Sequence, residues 1–160
     1  MDDSIDRIRT EWARMRPGLD TAPIAVLGRV LLAAKTVQER ADQNLADAGV
    51  SRAEFDLLSQ LRRSQAPLRP GDLTRGIVGS PAATTKRLHR LAEAELVVRS
   101  ADPDDGRASR VSLTDAGREL IDRVLPAQLA EEAQLLAGLP PARQRELADL
   151  LRELLISWGL

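Results

Sequence analysis

Between Ser80 and Glu95 the stretch SPAATTKRLHRLAEAE spaces Lys86, His89 and Arg90, with Thr85 beside them, so that a helix gathers them on one side. An ammonium, an imidazole, a guanidinium and a hydroxyl on one face suit the holding of phosphate oxygens and the reading of base edges. Thr84, Leu88, Leu91, Ala92 and Glu95 recur at helical spacing and define the packed side, from which Lys86 points away. Ser80 is a good N-cap, and Pro81 suits the first helical position because its missing N–H would be orphaned there anyway. Bond-breaking chemistry finds no comparable set. One histidine, no cysteine, no Gly-rich phosphate loop and no close carboxylate pair with a nucleophile leave no catalytic constellation, so an enzyme is not expected. The same absences argue against a His-built zinc or iron site, a disulfide or thiol sensing, and no metal or cofactor is expected.

The elements that position this helix surround it. LRPGDLTRGIV before it predicts a short helix across a turn at Gly79, which gives helix-turn-helix spacing. Residues 97–101 and 109–113 predict a hairpin around the loop DPDDGRA, with a charged tip. Helix-turn-helix plus hairpin is a winged helix, and the fold class is mainly α (α+β). The same motif could serve protein contacts or DNA architecture alone, but the cationic outer side favours DNA. Net charge is only −1, yet residues 62–110 hold ten Lys/Arg against six Asp/Glu, a local excess of +4. Aromatics are 2% of the chain, too few to stack single strands, so duplex DNA is the favoured partner.

The remaining sequence reads as scaffold. Ile5, Ile8, Trp12 and Met15 stripe a first helix that ends near Pro17-Gly18. A long helix over residues 22–48, stopped by Gly49, should bury Leu27, Val30, Leu31, Ala34, Val37, Ala41 and Leu45. Ser51-Arg-Ala-Glu54 is a capping box opening the helix of Phe55, Leu58 and Leu61, which Ala66-Pro67 ends. Thr114-Asp115 opens another helix with a kink expected near Pro126, and Pro140-Pro141 opens the last. Leu147, Leu150, Leu151, Leu154, Leu155 and Trp158 give that last helix a wide apolar face. Folding back on its own core is one outcome; a homodimer is favoured, because the first helix also carries an unclaimed stripe. The 160 residues are read as a single domain, with 1–48 and 114–160 as dimerisation helices and 51–113 as the DNA-binding lobe. An acidic start and Arg29 within AVLGRVLLAA predict neither signal peptide nor membrane span, hence a cytoplasmic protein.

Taken together, TTKRLHRLAEAELVVR, DPDDGR and VSLTDAGREL resemble the MarR family of dimeric winged-helix regulators from about Ala22 to the C-terminus. DRIRTEWARMRPGLDTAP and EFDLLSQLRRS resemble its urate-responsive HucR/PecS subgroup, which has an added N-terminal helix. The resemblance implies a transcriptional repressor released from a pseudo-palindromic operator by a small anionic effector such as urate. It also implies an effector site at Trp12, Asp56, Arg87 and Arg99. A related branch answers citrate or aconitate. A phenolic anion could fill the same role, and a DNA-binding winged helix with no small ligand would carry the same motif. The chemistry is coherent: Arg87 supplies a counter-charge, the Trp12 ring and indole N–H supply a surface and a donor, and Asp56 opposes an arriving anion. That repulsion would reach Arg99 if it pairs with Asp56 in the unliganded protein. Two residues depart from the family pattern. Glu95 stands where a glycine usually ends the recognition helix, and Gly106 replaces a common wing arginine, leaving Arg107 as the minor-groove candidate.

Overall fold

The computed structural model describes residues 2–64, 66–75, 80–103 and 105–160; residues 76–79, with the turn expected at Gly79, lie outside the described residues, as does the side chain of Arg107. In chain order the elements are α1 (Ser4–Met15), α2 (Ala22–Leu45) closed by a 3-10 turn (Ala46–Ala48), α3 (Arg52–Ser64), α4 (Pro70–Arg75), α5 (Pro81–Glu93), strands β1 (Val97–Asp102) and β2 (Asp105–Leu113), α6 (Asp115–Leu136) and α7 (Pro141–Ser157). The chain is mostly helical with one antiparallel two-stranded sheet, a winged helix carried between long flanking helices.

Local chemistry sets the boundaries. Gly49 adopts the left-handed conformation (φ 72°) just past the 3-10 turn and stops α2 there. Ser51 and Glu54 form the reciprocal cap of α3: the Ser51 N–H donates to Glu54 Oε2 at 2.8 Å, and Glu54 N–H donates to Ser51 Oγ at 3.3 Å. Ser80 accepts from the Ala83 N–H to open α5, and Thr114 accepts from the Gly117 N–H to open α6. A side chain at Gly117 would put Cβ 2.0 Å from the Leu96 carbonyl oxygen, so only glycine lets α6 start this close to the end of the recognition helix. Helix α6 then continues through Pro126 without interruption. At the end of α5, Leu96 N–H donates to Leu91 O and Glu95 N–H to Ala92 O, which is a Schellman closure with Glu95 at φ 56°. Holding a non-glycine residue there costs on the order of 1 kcal/mol. Glu95 is exposed, a correction to its expected place on the packed side: the helix has already ended and the left-handed turn swings it outward.

The wing pairs in the expected register, Val97 opposite Leu113 through Ala101 opposite Ser109, with an irregularity after Ala101. Strand β2 reaches further toward the tip than expected, to Asp105. Leu68 adds a short third rung, exchanging hydrogen bonds with Val111 at 2.9 and 2.8 Å. Toward the tip of the wing the buried Asp102 carboxylate accepts from Arg69 Nε at 2.7 Å and Arg110 Nη2 at 3.1 Å, which ties the segment before α4 to the sheet.

The core lies in this lobe, where Leu45, Phe55, Leu57, Leu58, Leu61, Leu73, Leu88, Leu91, Val111 and Ile121 are buried together. The expected stripe of α2 is only partly covered. Ala41 and Leu45 are buried, but Leu27 and Leu31 are exposed, as is Ala34. Periodicity showed an apolar face without showing what covers it. α1 packs on α2: Ile5 is buried over Gly28, and Arg29 grips Asp3 and Asp6 at 2.8 Å each. The Asp6 carboxyl is held below the usual 3.8 by Arg29 and by the Asp3 N–H; that of Asp3 is lowered by the Asp6 N–H and then by Arg29. Helix α7 buries none of its residues, and Leu147, Leu150, Leu155, Ile156 and Trp158 stand exposed, so it does not fold back on the core. Among the described residues no helix is long and apolar enough to cross a membrane.

Candidate nucleic-acid interface and anion site

Helix α5 turns two different faces outward and inward. Thr84, Leu88 and Leu91 are fully buried against the core, while Thr85, Lys86, His89 and Arg90 are exposed as expected. Lys86 is exposed and has no ion-pair partner among the described residues. His89 Nδ1 lies 3.3 Å from Glu93 Oε2, both largely exposed. The Thr85 hydroxyl donates to Pro81 O at 3.0 Å and remains an acceptor. Arg107 belongs to β2, but its side chain lies outside the described residues.

Arg90, though exposed, also pairs with an acid of the core. Its Nη1 is 3.2 Å from Glu54 Oε1, and Glu54 is only 2% exposed. Sequence reasoning saw Glu54 as the acid of a capping box and missed that it also reaches the recognition helix, since no local spacing reports a contact between α3 and α5. An Arg90→Ala chain leaves the Glu54 carboxylate buried with only its Ser51 donors, at a cost on the order of 1–3 kcal/mol. Urea denaturation should show that loss, and Glu54→Gln in the same chain should restore most of it. Unchanged stability for Arg90→Ala would mean that the pair contributes nothing.

The four residues implied as an effector site sit on four elements, α1, α3, α5 and β1. Arg87 is half-buried on α5, and its Nη1 is shielded from solvent with no hydrogen-bond partner among the described residues. Such a donor is unmet, and an anion would satisfy it. Asp56 on α3 is partly exposed and accepts from Arg52 Nε at 2.9 Å. Asp56 is thus paired with Arg52 and not with Arg99, which is exposed on β1 without an ion-pair partner among the described residues. Arg52 lies one helical turn before Asp56 on the same face and takes its charge first. Trp12 is 41% exposed on α1, which packs on α2 rather than on the lobe. The structure therefore brings α3 and α5, with Asp56 and Arg87, into one packed unit and leaves Trp12 outside it. A cleft of about 580 Å³ lined by Leu61, Arg62, Pro67, Ser112 and Arg118 touches none of the four.

A short helix, an exposed cationic helix behind it and a wing are the parts of a DNA-reading lobe, and comparison with known proteins agrees. The MarR family pattern matches residues 50–109. Over 111 residues the chain is 34% identical to the HTH-type transcriptional repressor Rv2887 of Mycobacterium tuberculosis, spanning 69% of this chain and 78% of that relative. The chain belongs to the MarR family. It is a DNA-binding transcriptional regulator of that family. The HTH-type transcriptional regulator PecS of Dickeya dadantii is 29% identical over 149 residues, 92% of this chain and 90% of PecS. Among solved structures, Bordetella bronchiseptica BpsR, whose DNA binding is regulated by 6-hydroxynicotinic acid, superimposes with TM-score 0.77 at 26% identity, covering 86% of this chain and 97% of that one. In MarR terms α5 is the recognition helix and β1–β2 the wing.

Proposed function

We propose that this MarR-family regulator is a homodimeric repressor that leaves a pseudo-palindromic operator when a small planar anion such as urate binds beside its recognition helix. The observation that carries the reading is Arg87: a guanidinium on the helix that reads DNA, with a buried N–H that nothing among the described residues satisfies. An anion bound there touches the DNA-reading element directly, so its preference for one placement of α5 becomes a preference for one DNA-binding state. BpsR, a relative in fold, is regulated by an N-heteroaromatic acid of similar size and charge. Trp12 fits the reading as a wall supplied when α1 and the lobe meet in the dimer, with Asp56 as the repelling group. Lys86, His89 and Thr85 face the major groove, Arg107 the minor groove, and Arg90 serves chiefly to hold Glu54.

Exposed apolar residues support the dimer. Ile8, Trp12 and Met15 on α1, Leu27 and Leu31 on α2, and Leu147, Leu150 and Trp158 on α7 are more apolar surface than a monomer usually leaves uncovered. In this reading 1–48 and 114–160 supply the dimer helices and 51–113 the DNA lobe. Isothermal calorimetry of the wild-type protein with urate, citrate, salicylate and uncharged adenine tests the effector. Saturable binding of urate, without binding of adenine, is the expected result. Tighter binding of citrate would move the protein to the tricarboxylate branch, and no binding by any anion would leave a winged helix without a small ligand.

A further inference from the structure

Arg52 opens α3 and ties three helices together. Its backbone N–H donates to Asp42 Oδ1 on α2 at 2.6 Å, its Nε to Asp56 Oδ1 at 2.9 Å, and its Nη1 to Glu132 Oε1 on α6 at 2.7 Å. Glu132 Oε1 also accepts from Gln128 Nε2 at 3.2 Å, and Gln128, only 2% exposed, accepts from Asn44 of α2 at 3.0 Å. The guanidinium lies 5.9 Å from the centre of the Phe55 ring, which restricts its orientation. A polar network whose members are mutually satisfied permits one relative placement of the helices that bear them. At the other end of α3, Arg62 forks onto Asp122 of α6 at 2.8 and 3.1 Å. That second pair is exposed and screened, while the Arg52 side chain is mostly covered.

We propose that Arg52 is a positioning residue that sets the angle between the DNA-reading lobe and the α2–α6 stem, and thereby the half-site spacing the protein accepts. The proposal rests on the reading as a dimer on a two-fold operator. Helix α5 packs on α3, so the recognition helix follows any tilt of α3 against α6. In such a dimer the two recognition helices must enter major grooves about 34–36 Å apart, so a lobe tilt becomes a change in spacing. The guanidinium faces two carboxylates, Asp56 of α3 and Glu132 of α6. Removing it leaves like charges that push α3 away from α6, rather than a slack version of the same contact.

A duplex selected by the wild-type protein from a random library, then lengthened or shortened at its centre by one or two base pairs, tests this. Arg52→Gln should lose about tenfold or more of the wild-type preference for the selected spacing, with the salt dependence of binding unchanged because no phosphate contact is removed. Arg52→Lys should recover part of the preference, since a lysine keeps the charge but cannot reach two carboxylates as a planar fork does. Lys86→Ala should behave oppositely, with weaker binding at every spacing, a smaller salt slope and the preference kept. Glu132→Gln breaks the bridge to α6 alone and replaces Arg52→Gln should that chain not fold. A folded, dimeric Arg52→Gln or Glu132→Gln protein with the full wild-type spacing preference overturns the proposal. Sedimentation velocity separates the two layers: a monomeric wild type refutes the dimer reading, whereas a dimeric wild type indifferent to spacing refutes the role of Arg52 alone.

Discussion

A chain carrying Leu150→Glu and Leu155→Glu is expected to sediment as a monomer and to bind its operator at least about a hundredfold more weakly than the wild type, because two linked half-site contacts become one. Both leucines lie on α7, which buries nothing in its own chain, and both are exposed. The lobe core from Leu45 to Ile121 does not use α7, so the double variant should keep its far-ultraviolet circular dichroism and its lobe. Deleting residues 141–160 goes further and leaves α1, α2 and α6 with uncovered apolar residues; that chain should aggregate. A double variant that remains dimeric, or a truncated chain recovered as a stable monomer, would place the dimer contact elsewhere.

The second large effect concerns the effector. Arg87→Ala should weaken urate binding by about 10–100-fold, the size expected when a hydrogen-bonded counter-charge is removed. Asp56→Asn should bind urate at least as well, yet respond less, because the repulsion that makes binding and DNA contact compete is gone. Arg52 sharpens the contrast. It already neutralises Asp56 in part, so the variant also loosens Arg52, and a small loss of operator affinity without ligand should accompany the weaker response. Calorimetry reads the first variant and DNA displacement the second. Equal losses of affinity in both would mean that Asp56 lines the pocket rather than opposes its occupant.

Much of the architecture was legible because it is written locally. The Ser51/Glu54 box, the Ser80-Pro81 start, the stop at Gly49 and the Thr114 cap each depend on neighbours within one turn, and each stands where spacing placed it. Leu68 was not legible as a strand residue, since a single rung has no periodicity. Nor were Arg90 with Glu54, or Arg52 with Glu132, whose partners are far apart in sequence. Helix α2 misled for a different reason. Leu27 and Leu31 are as apolar as core residues yet stand exposed, and a hydrophobic pattern does not distinguish a core face from an uncovered one. The candidate site divides in the same way: Arg87 is poised on α5, while Asp56 is held by a cation that the resemblance did not supply, and Trp12 sits on a helix packed elsewhere.

The most direct test of the anion switch is displacement. Fluorescently labelled operator, bound by the wild-type protein at a fixed salt concentration, is titrated with urate and, in parallel, with citrate while anisotropy is followed. A ligand that empties a mostly occupied site must prefer the DNA-incompetent state by a few kcal/mol, so release should be nearly complete at saturation and absent in Arg87→Ala at the same ligand concentration. If neither urate nor citrate at millimolar concentration releases the wild-type protein from its operator, the anion switch at Arg87 is contradicted.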